Sequence, residues 1–477
     1  MIGVPSPFPA VSLYTPFISD TCHTKSGGTV LLRRTAMCAT ALASALAMTI
    51  GGGAVTAPVA SAQDSSNDPA PAFYQPPAQL PAGPGALVKT EAFPLAGAIP
   101  PIPGAEFVSD AAGPISTDAQ RIMYRSTGAA GGPVAVTGTY LQPRAPWNGS
   151  GPRPLAVVTP GTQGQGDQCA PSKSMEVGLG IGTAPVSLAA GYSLIDAYSL
   201  LAEGFAVVVT DYEGLGTPGH HPYVNRVSQG RSALDAARAA VRLAGTDLAL
   251  ESPTVVSGYS QGGGAAAAAA EMHREYAPEL NLVGVAAGAP PSDMLGTLER
   301  VDGGVLTGAV GYAINGILQV HPELRPAFDR QLNDEGRRML EVTSTQCVGE
   351  TAFAYGLRRT TEFTVHGNSL AEAARSEPEI LRVLESYNLG RVAPTVPALV
   401  LIGRNDDVVP HDTAVDLVRN WCAQGTVVEL RIAELPALAP GLVIDHALPM
   451  LSERETNARY LMERVHGVPA SNSCGTV

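Results

Sequence analysis

A rhythm constrains this chain more than any single motif does. Short, Val-rich apolar runs alternate with stretches of helical spacing. The runs "PVAVTGTYLQP" (133–143), "PRPLAVVTPGTQG" (152–164), "FAVVVTDYEG" (205–214), "PTVVSGYS" (253–260), "NLVGVAAGAP" (281–290), "VPALVLIGRND" (396–406) and "TVVELRIAEL" (426–435) read as strands. Helical spacing marks "PVSLAAGYSLIDAYSLLAEG" (185–204), "SALDAARAAVRLAG" (232–245), the alanine tract after Ser260, and the segments near 411–423 and 447–465. Apolar strands separated by amphipathic helices imply a mostly parallel sheet with helices on both faces, an α/β fold.

The rhythm breaks between Pro290 and about residue 392, where helical patterns such as "LTGAVGYAINGILQVHPEL" and "SLAEAARSEPEILRVLESY" dominate. The region is too long for an ordinary loop. It reads as a helical cap (291–392) inserted into a core formed by 101–290 and 393–477. Residues 63–100, rich in Pro, Ala and Gln, read as an extended arm or a loose tail.

The start of the chain reads as a leader (1–62). Arg33 and Arg34 precede an apolar stretch that ends in Ala60-Ser61-Ala62, the pattern of a secretory signal cleaved after Ala62. "GGGAVTAP" interrupts the apolar run before it reaches membrane-spanning length. Residues before Val30 fit no part of a signal, so the expected start is Val30. No other stretch is long and apolar enough to span a bilayer, which predicts a soluble, exported mature protein. Cysteine usage agrees. Beyond Cys22 and Cys38 in the leader stand Cys169, Cys347, Cys422 and Cys474, an even number that predicts two disulfides with three connectivities open. No Cys/His spacing suggests zinc, and neither metal nor organic cofactor is expected. The net charge is -13 and no Lys/Arg run is present, which argues against a nucleic-acid partner.

The chemistry concentrates at "GYSQG" (258–262), a Gly-x-Ser-x-Gly sequence between an apolar run and a helical tract. That context is the nucleophile elbow: Ser260 stands on a tight strand-to-helix turn that leaves no room for side chains two residues either side. Gln261, next in the chain, offers a backbone N–H to a developing oxyanion, and the helix dipole adds to it. The required order is Ser, then Asp or Glu, then His. "VLIGRNDDVVP" (400–410) supplies Asp406 and Asp407 at a strand end, and Asp406, which leaves the strand first, is the favoured acid. Asp407 is then a loop residue or a helix cap. His446, in "VIDHALP", is the best base, expected on a loop just before the last helix. His411 reads as a helix start, His466 as exposed, His273 as solvated, and the pair His220 and His221 as surface or cleft-lining. A second oxyanion donor should come from "TPGTQGQGDQCAPS" (159–172), with Gln163 or Thr162 as candidates.

Together "CAPS" (169–172), "TDYEGLG" (210–216), "GYSQGG" (258–263), "YAPELNLVGVAAGAPP" (276–291), "DDVVP" (406–410) and "DHALP" (445–449) resemble the secretory lipase family, over roughly Pro101 to the C-terminus. The resemblance implies an α/β-hydrolase fold, export, and ester hydrolysis by Ser260, Asp406 and His446, often on triacylglycerols. It also implies the pairs Cys169–Cys347 and Cys422–Cys474. The chain departs from a cap-bearing yeast member in carrying Gln163 where that oxyanion loop has an acidic residue, and Gln261 where that protein has Gly. It also ends soon after Cys474, without the yeast-type C-terminal flap.

The leading reading is a secreted lipase or esterase acting on a lipid or small ester substrate, at a lipid–water interface where the substrate forms one. "LTGAVGYAINGIL" (306–318) would line its acyl pocket or serve as core of the cap. The alternative in the same enzyme class is an acyltransferase that passes the acyl group to an acceptor other than water. A binding protein on the same fold would have a broken triad, and all three candidates are in place. A peptidase reading lacks an added propeller domain.

Overall fold

The computed structural model describes residues 69–92, 116–175 and 190–477. The expected leader, its cleavage after Ala62, the start at Val30, and the first residues of the 185–204 pattern lie outside the described residues.

The elements follow in chain order. They are α1 (Pro69–Tyr74), β1 (Leu87–Ala92), β2 (Thr117–Thr127), β3 (Pro133–Pro143), β4 (Leu155–Thr159), α2 (Pro171–Ser174), α3 (Ala190–Ala202), β5 (Ala206–Thr210), α4 (Arg226–Val241), β6 (Thr254–Tyr259), α5 (Gln261–Tyr276) and β7 (Leu282–Gly288). Helices α6 (Met294–Val301), α7 (Ala309–Val320), α8 (Arg325–Gln331), α9 (Asp334–Thr343), α10 (Val348–Tyr355), α11 (Leu370–Ser376) and α12 (Pro378–Tyr387) come next. β8 (Ala398–Gly403), α13 (His411–Ala423), β9 (Val428–Ala433) and α14 (Ile444–Val465) close the chain. The strands form one sheet in the order β1-β2-β3-β5-β4-β6-β7-β8-β9. The first three strands join antiparallel to one another and to β5, and the strands from β5 to β9 are parallel.

Each central strand is buried on both faces, and alternate residues divide between two cores. Leu155, Val157, Ala206 and Val208 face the core shared with α4 and α5. Ala156, Val158, Val207 and Val209 face the core shared with α3 and α14. The alanine tract makes the first core thin. Ala265 to Ala270 are all buried, and a Cβ on Gly230 of α4 would sit 3.0 Å from the backbone of Ala268.

The order of the parallel strands places the site. β4 lies between β5 and β6, so the chain winds to one side of β4 and then to the other. Loops leaving β4 and β6 diverge at this switch and open a crevice at the carboxyl ends of the strands. Thr159, the last residue of β4, pairs with Gly258, two residues before Ser260.

Four expectations change. β1 forms inside the stretch read as an arm, and β2 inside a stretch in which no strand was expected. Both hide behind polar composition: Arg121 of β2 is buried, and its guanidinium pairs with Glu91 of β1 at 3.0 Å. Helix α4 begins six residues before the expected Ser232, because the Asn225 side chain caps it by accepting from the N–H groups of Val227 and Ser228. His446 lies in the first turn of α14 rather than on a loop before it. Between β7 and β8 the chain forms seven α-helices. The structure closes Cys169–Cys347 and Cys422–Cys474 as disulfides.

Candidate active site

The elbow is built from glycines. Ser260 sits between β6 and α5 with φ 60° and ψ -126°, a conformation that L side chains rarely adopt. Such strain costs on the order of 1–3 kcal/mol and persists only where the surroundings enforce it. Here the Ser260 N–H donates to Gly288 O at 2.9 Å, and its carbonyl accepts from Gly264 N–H at 3.0 Å. A Cβ on Gly258 would lie 2.4 Å from Gly262 O, one on Gly262 would lie 2.0 Å from Thr159 O, and one on Gly263 would lie 2.0 Å from Gly288 O. The glycines are there because backbone passes where side chains would stand.

The loop after β4 packs beside this turn. Gln163 is buried; its carbonyl accepts from Val348 N–H at 2.8 Å, and its Nε2 donates to Gly161 O at 3.2 Å. Its main-chain N–H donates to no protein group among the described residues. Gln261 opens α5, so its N–H has no partner within the helix. Gly164, at φ +128°, lets the loop lie against the helical segment, since a Cβ there would be 2.5 Å from Cys347 Cα. Thr162 Oγ1 lies 2.7 Å from Tyr223 Oη. Asp211 anchors the far end of the loop by accepting from Ser172 N–H at 2.8 Å and from the Ser172 hydroxyl. The "TDYEGLG" and "CAPS" stretches therefore meet in space.

Asp406 and Asp407 divide their work. His446 Nδ1 lies 2.9 Å from Asp406 Oδ1 and 2.8 Å from Oδ2, with both residues buried. Asp406 Oδ1 also accepts from Val408 N–H at 2.9 Å and Val409 N–H at 2.8 Å. Asp407 accepts from Val443 N–H at 2.9 Å and His446 N–H at 3.0 Å. It thus caps the helix that carries His446. Burial pushes the Asp407 carboxyl up, and the Val443 N–H opposes that shift. The Tyr259 hydroxyl donates to His446 O at 2.7 Å, and the two rings lie 5.1 Å apart. Tyr259 precedes Ser260, so this contact ties elbow and imidazole to the same end of the sheet. Among the described residues no hydrogen bond joins the Ser260 hydroxyl to His446. In the free state of such sites this contact is often long.

Ser260, Gln261, Thr162 and Tyr223 share the wall of a cavity of ≈ 110 Å³ with residues of the helical segment. The rest of the lining is mostly apolar, including Met294, Leu298, Val310, Ile314, Leu384 and Val409. Part of "LTGAVGYAINGIL" faces this space.

Two histidines depart from expectation. His221, read as surface or cleft-lining, is buried and lines neither the surface nor the cavity beside Ser260, because its ring stacks on Tyr212 at 5.4 Å and both nitrogens have partners. Burial lowers its pKa to about 4. His273 is buried rather than solvated, with Nε2 2.9 Å from Leu280 O. His220 and His466 are exposed, and His411 is the first residue of α13. Sequence reasoning also passed over Tyr223 and Gln165; only their closeness to the two family-like stretches signalled them. Among the described residues no three His, Cys, Asp or Glu side chains form a cluster able to hold a metal.

A family model described as "Secretory lipase" matches residues 182–473. A secreted triacylglycerol lipase of Malassezia globosa is 25% identical over 361 residues, 75% of each chain. A probable inactive lipase of Mycobacterium tuberculosis is 29% identical over 315 residues, covering 65% of this chain and 67% of that one. The solved structure of Candida antarctica lipase A in its closed state superposes with a TM-score of 0.69 at 20% identity, over 86% of this chain and 88% of that one. At that identity the likeness establishes the fold, that of the α/β-hydrolases.

Proposed function

The chain belongs to the secretory lipase family, and we propose that it is an exported carboxylic-ester hydrolase acting on lipid esters through Ser260, His446 and Asp406. The observation that carries the reading is the pairing of His446 Nδ1 with both oxygens of Asp406, at the sheet end where Ser260 opens into an apolar cavity.

In this reading Asp406 keeps the proton on His446 Nδ1, which leaves Nε2 basic. As substrate binds, Nε2 takes the Ser260 proton while Oγ attacks the ester carbonyl. The N–H groups of Gln261 and Gln163 receive the developing oxyanion, with the α5 dipole behind the first. His446 returns the proton to the leaving alcohol, and an acyl-enzyme remains. Water, deprotonated by His446, then attacks it, and collapse of the second tetrahedral intermediate frees the acid and Ser260. The cavity takes the acyl chain, since an apolar wall gains about 0.8 kcal/mol per buried CH₂. Residues 291–392 act as the cap over this pocket. A relative named as an inactive lipase makes activity itself the thing to measure.

The test is hydrolysis of chromogenic acyl esters from short to long chain, by wild type and Ser260→Ala purified from culture medium. The expected result is activity that Ser260→Ala lowers by roughly 10⁴-fold or more, from an exported protein whose first residue is Gln63. An equally active Ser260→Ala protein, or a folded wild type inert on every ester, refutes the assignment. Among the described residues no helix is long and apolar enough to cross a membrane.

A further inference from the structure

Gln261 has a side chain that the mechanism above leaves unused. It runs into a buried polar chain. Gln261 Nε2 lies 2.8 Å from His221 Nε2, and His221 Nδ1 lies 2.9 Å from Glu213 O. A carbonyl only accepts, so the imidazole proton sits on Nδ1, Nε2 presents its lone pair, and Gln261 donates. The Glu213 carboxylate is turned away, onto Ala129 N–H at 2.9 Å and the Ser228 hydroxyl at 2.5 Å.

The chain continues on the main-chain side of His221. Its carbonyl accepts from Gln165 Nε2 at 3.0 Å, and the same amide donates to Tyr312 O at 3.0 Å. Asn315 Nδ2 in turn donates to Gln165 Oε1 at 3.1 Å. Tyr312 and Asn315 stand on α7 of the helical segment, and Gln165 stands two residues from Gln163. Gln165, His221 and Gln261 are 2%, 1% and 3% exposed, so water does not compete for these bonds. Burial that disfavours the imidazolium supports the neutral tautomer.

We propose that His221 is a positioning residue for the oxyanion site: its neutral imidazole holds the Gln261 carboxamide, and with it the Gln261 main-chain N–H, in register with the Gln163 loop and with helix α7. The proposal rests on the ester-hydrolase reading. Buried networks with every member satisfied hold one geometry. Placement matters here, because a 1 Å error at a reacting centre can cost about 10²-fold in rate.

The test is a double-mutant cycle with a soluble short-chain ester. His221→Phe keeps the ring stack on Tyr212 and removes the acceptor. Gln261→Leu keeps the main-chain N–H and removes the donor. Each single variant should lower kcat about 10-fold with KM within about twofold, as expected for a misplaced transition-state donor. The double variant should be no slower than the slower single, since both break one bond. Rates are taken per active site, titrated with a phosphonate ester, so partial misfolding does not mimic the effect. If His221→Phe fails to fold, Gln261→Leu alone decides: wild-type kcat in that variant overturns the proposal. Multiplicative losses in the double variant also overturn it. If Ser260→Ala is inactive while these variants keep wild-type kcat, this inference alone fails; if Ser260→Ala is active, the underlying reading fails.

Discussion

Asp406 and Asp407 are adjacent, identical in chemistry and both buried, yet they should respond in opposite ways to the same change. Consider Asp406→Asn. Oδ1 is held by the N–H groups of Val408 and Val409 as well as by His446 Nδ1. An asparagine must keep its oxygen there, because an NH₂ cannot accept from those donors. Its NH₂ then replaces Oδ2, 2.8 Å from His446 Nδ1. That contact favours the tautomer with the proton on Nε2, which cannot take the Ser260 proton. The loss expected is about 10⁴-fold in kcat, on the order of 5 kcal/mol. Now consider Asp407→Asn. The side chain keeps one acceptor oxygen for two donors, the N–H groups of Val443 and His446. One buried N–H loses its partner, at about 1–3 kcal/mol of stability. The His446–Asp406 pair is untouched, so on the proposed mechanism kcat should fall no more than about tenfold. Steady-state kinetics on a soluble ester at pH 8, with thermal unfolding of each variant, separates the two. A dead but stable Asp407→Asn beside an active Asp406→Asn would refute the assignment of the acid.

Two further outcomes follow from the same geometry. The Cys169–Cys347 bond spans 178 residues and stands beside the bridge from Gly164 to Cys347. Replacing both cysteines by Ala should cost about 5 kcal/mol by chain entropy and should lower kcat as well, whereas the Cys422/Cys474 pair, across 52 residues, should cost about 4 kcal/mol and leave kcat unchanged; equal kinetics for the two variants would contradict the role of the loop. For pH, His221 has a folded-state pKa lowered to about 4 from 6.5. The unfolded chain binds the extra proton, so this contribution is full above pH 6.5 and is lost as pH falls towards 4, up to about 3 kcal/mol. Thermal unfolding between pH 4 and 7 should therefore fall more steeply for wild type than for His221→Phe, and parallel curves would show that burial does not perturb the imidazole.

Much of the frame was legible. The run at 133–143 is β3 residue for residue, and the six later parallel strands all lie inside runs read from Val-rich composition. The helix expected at 411–423 is α13 to the residue. β1 and β2 were not legible, because an antiparallel edge tolerates the charges of "LVKTEA" and "TDAQRIMYRST" that erase the apolar signal. His446 was found but set on a loop. Its helix starts at Ile444 because the left-handed Val443 turns the chain and the distant Asp407 caps the first turn. No local residue announces that start.

What the sequence determined by itself was whatever short windows encode. These are the period of burial, the strand–Ser–helix turn with its glycines, and the chain order of Ser260, Asp406 and His446. Each depends on neighbours a few residues apart, so the pattern is present before the chain folds. The strand exit favoured Asp406 over Asp407, but only the tertiary structure decided that Asp407 turns to the backbone of the helix that carries His446. It also decided that His221 is buried against Gln261 and that the helical segment closes the wall of the apolar cavity. Those outcomes depend on which loops the sheet order brings to one crevice. A hydrogen bond between residues 221 and 261 exists because β4 separates β5 from β6 and both loops return to the same strand ends.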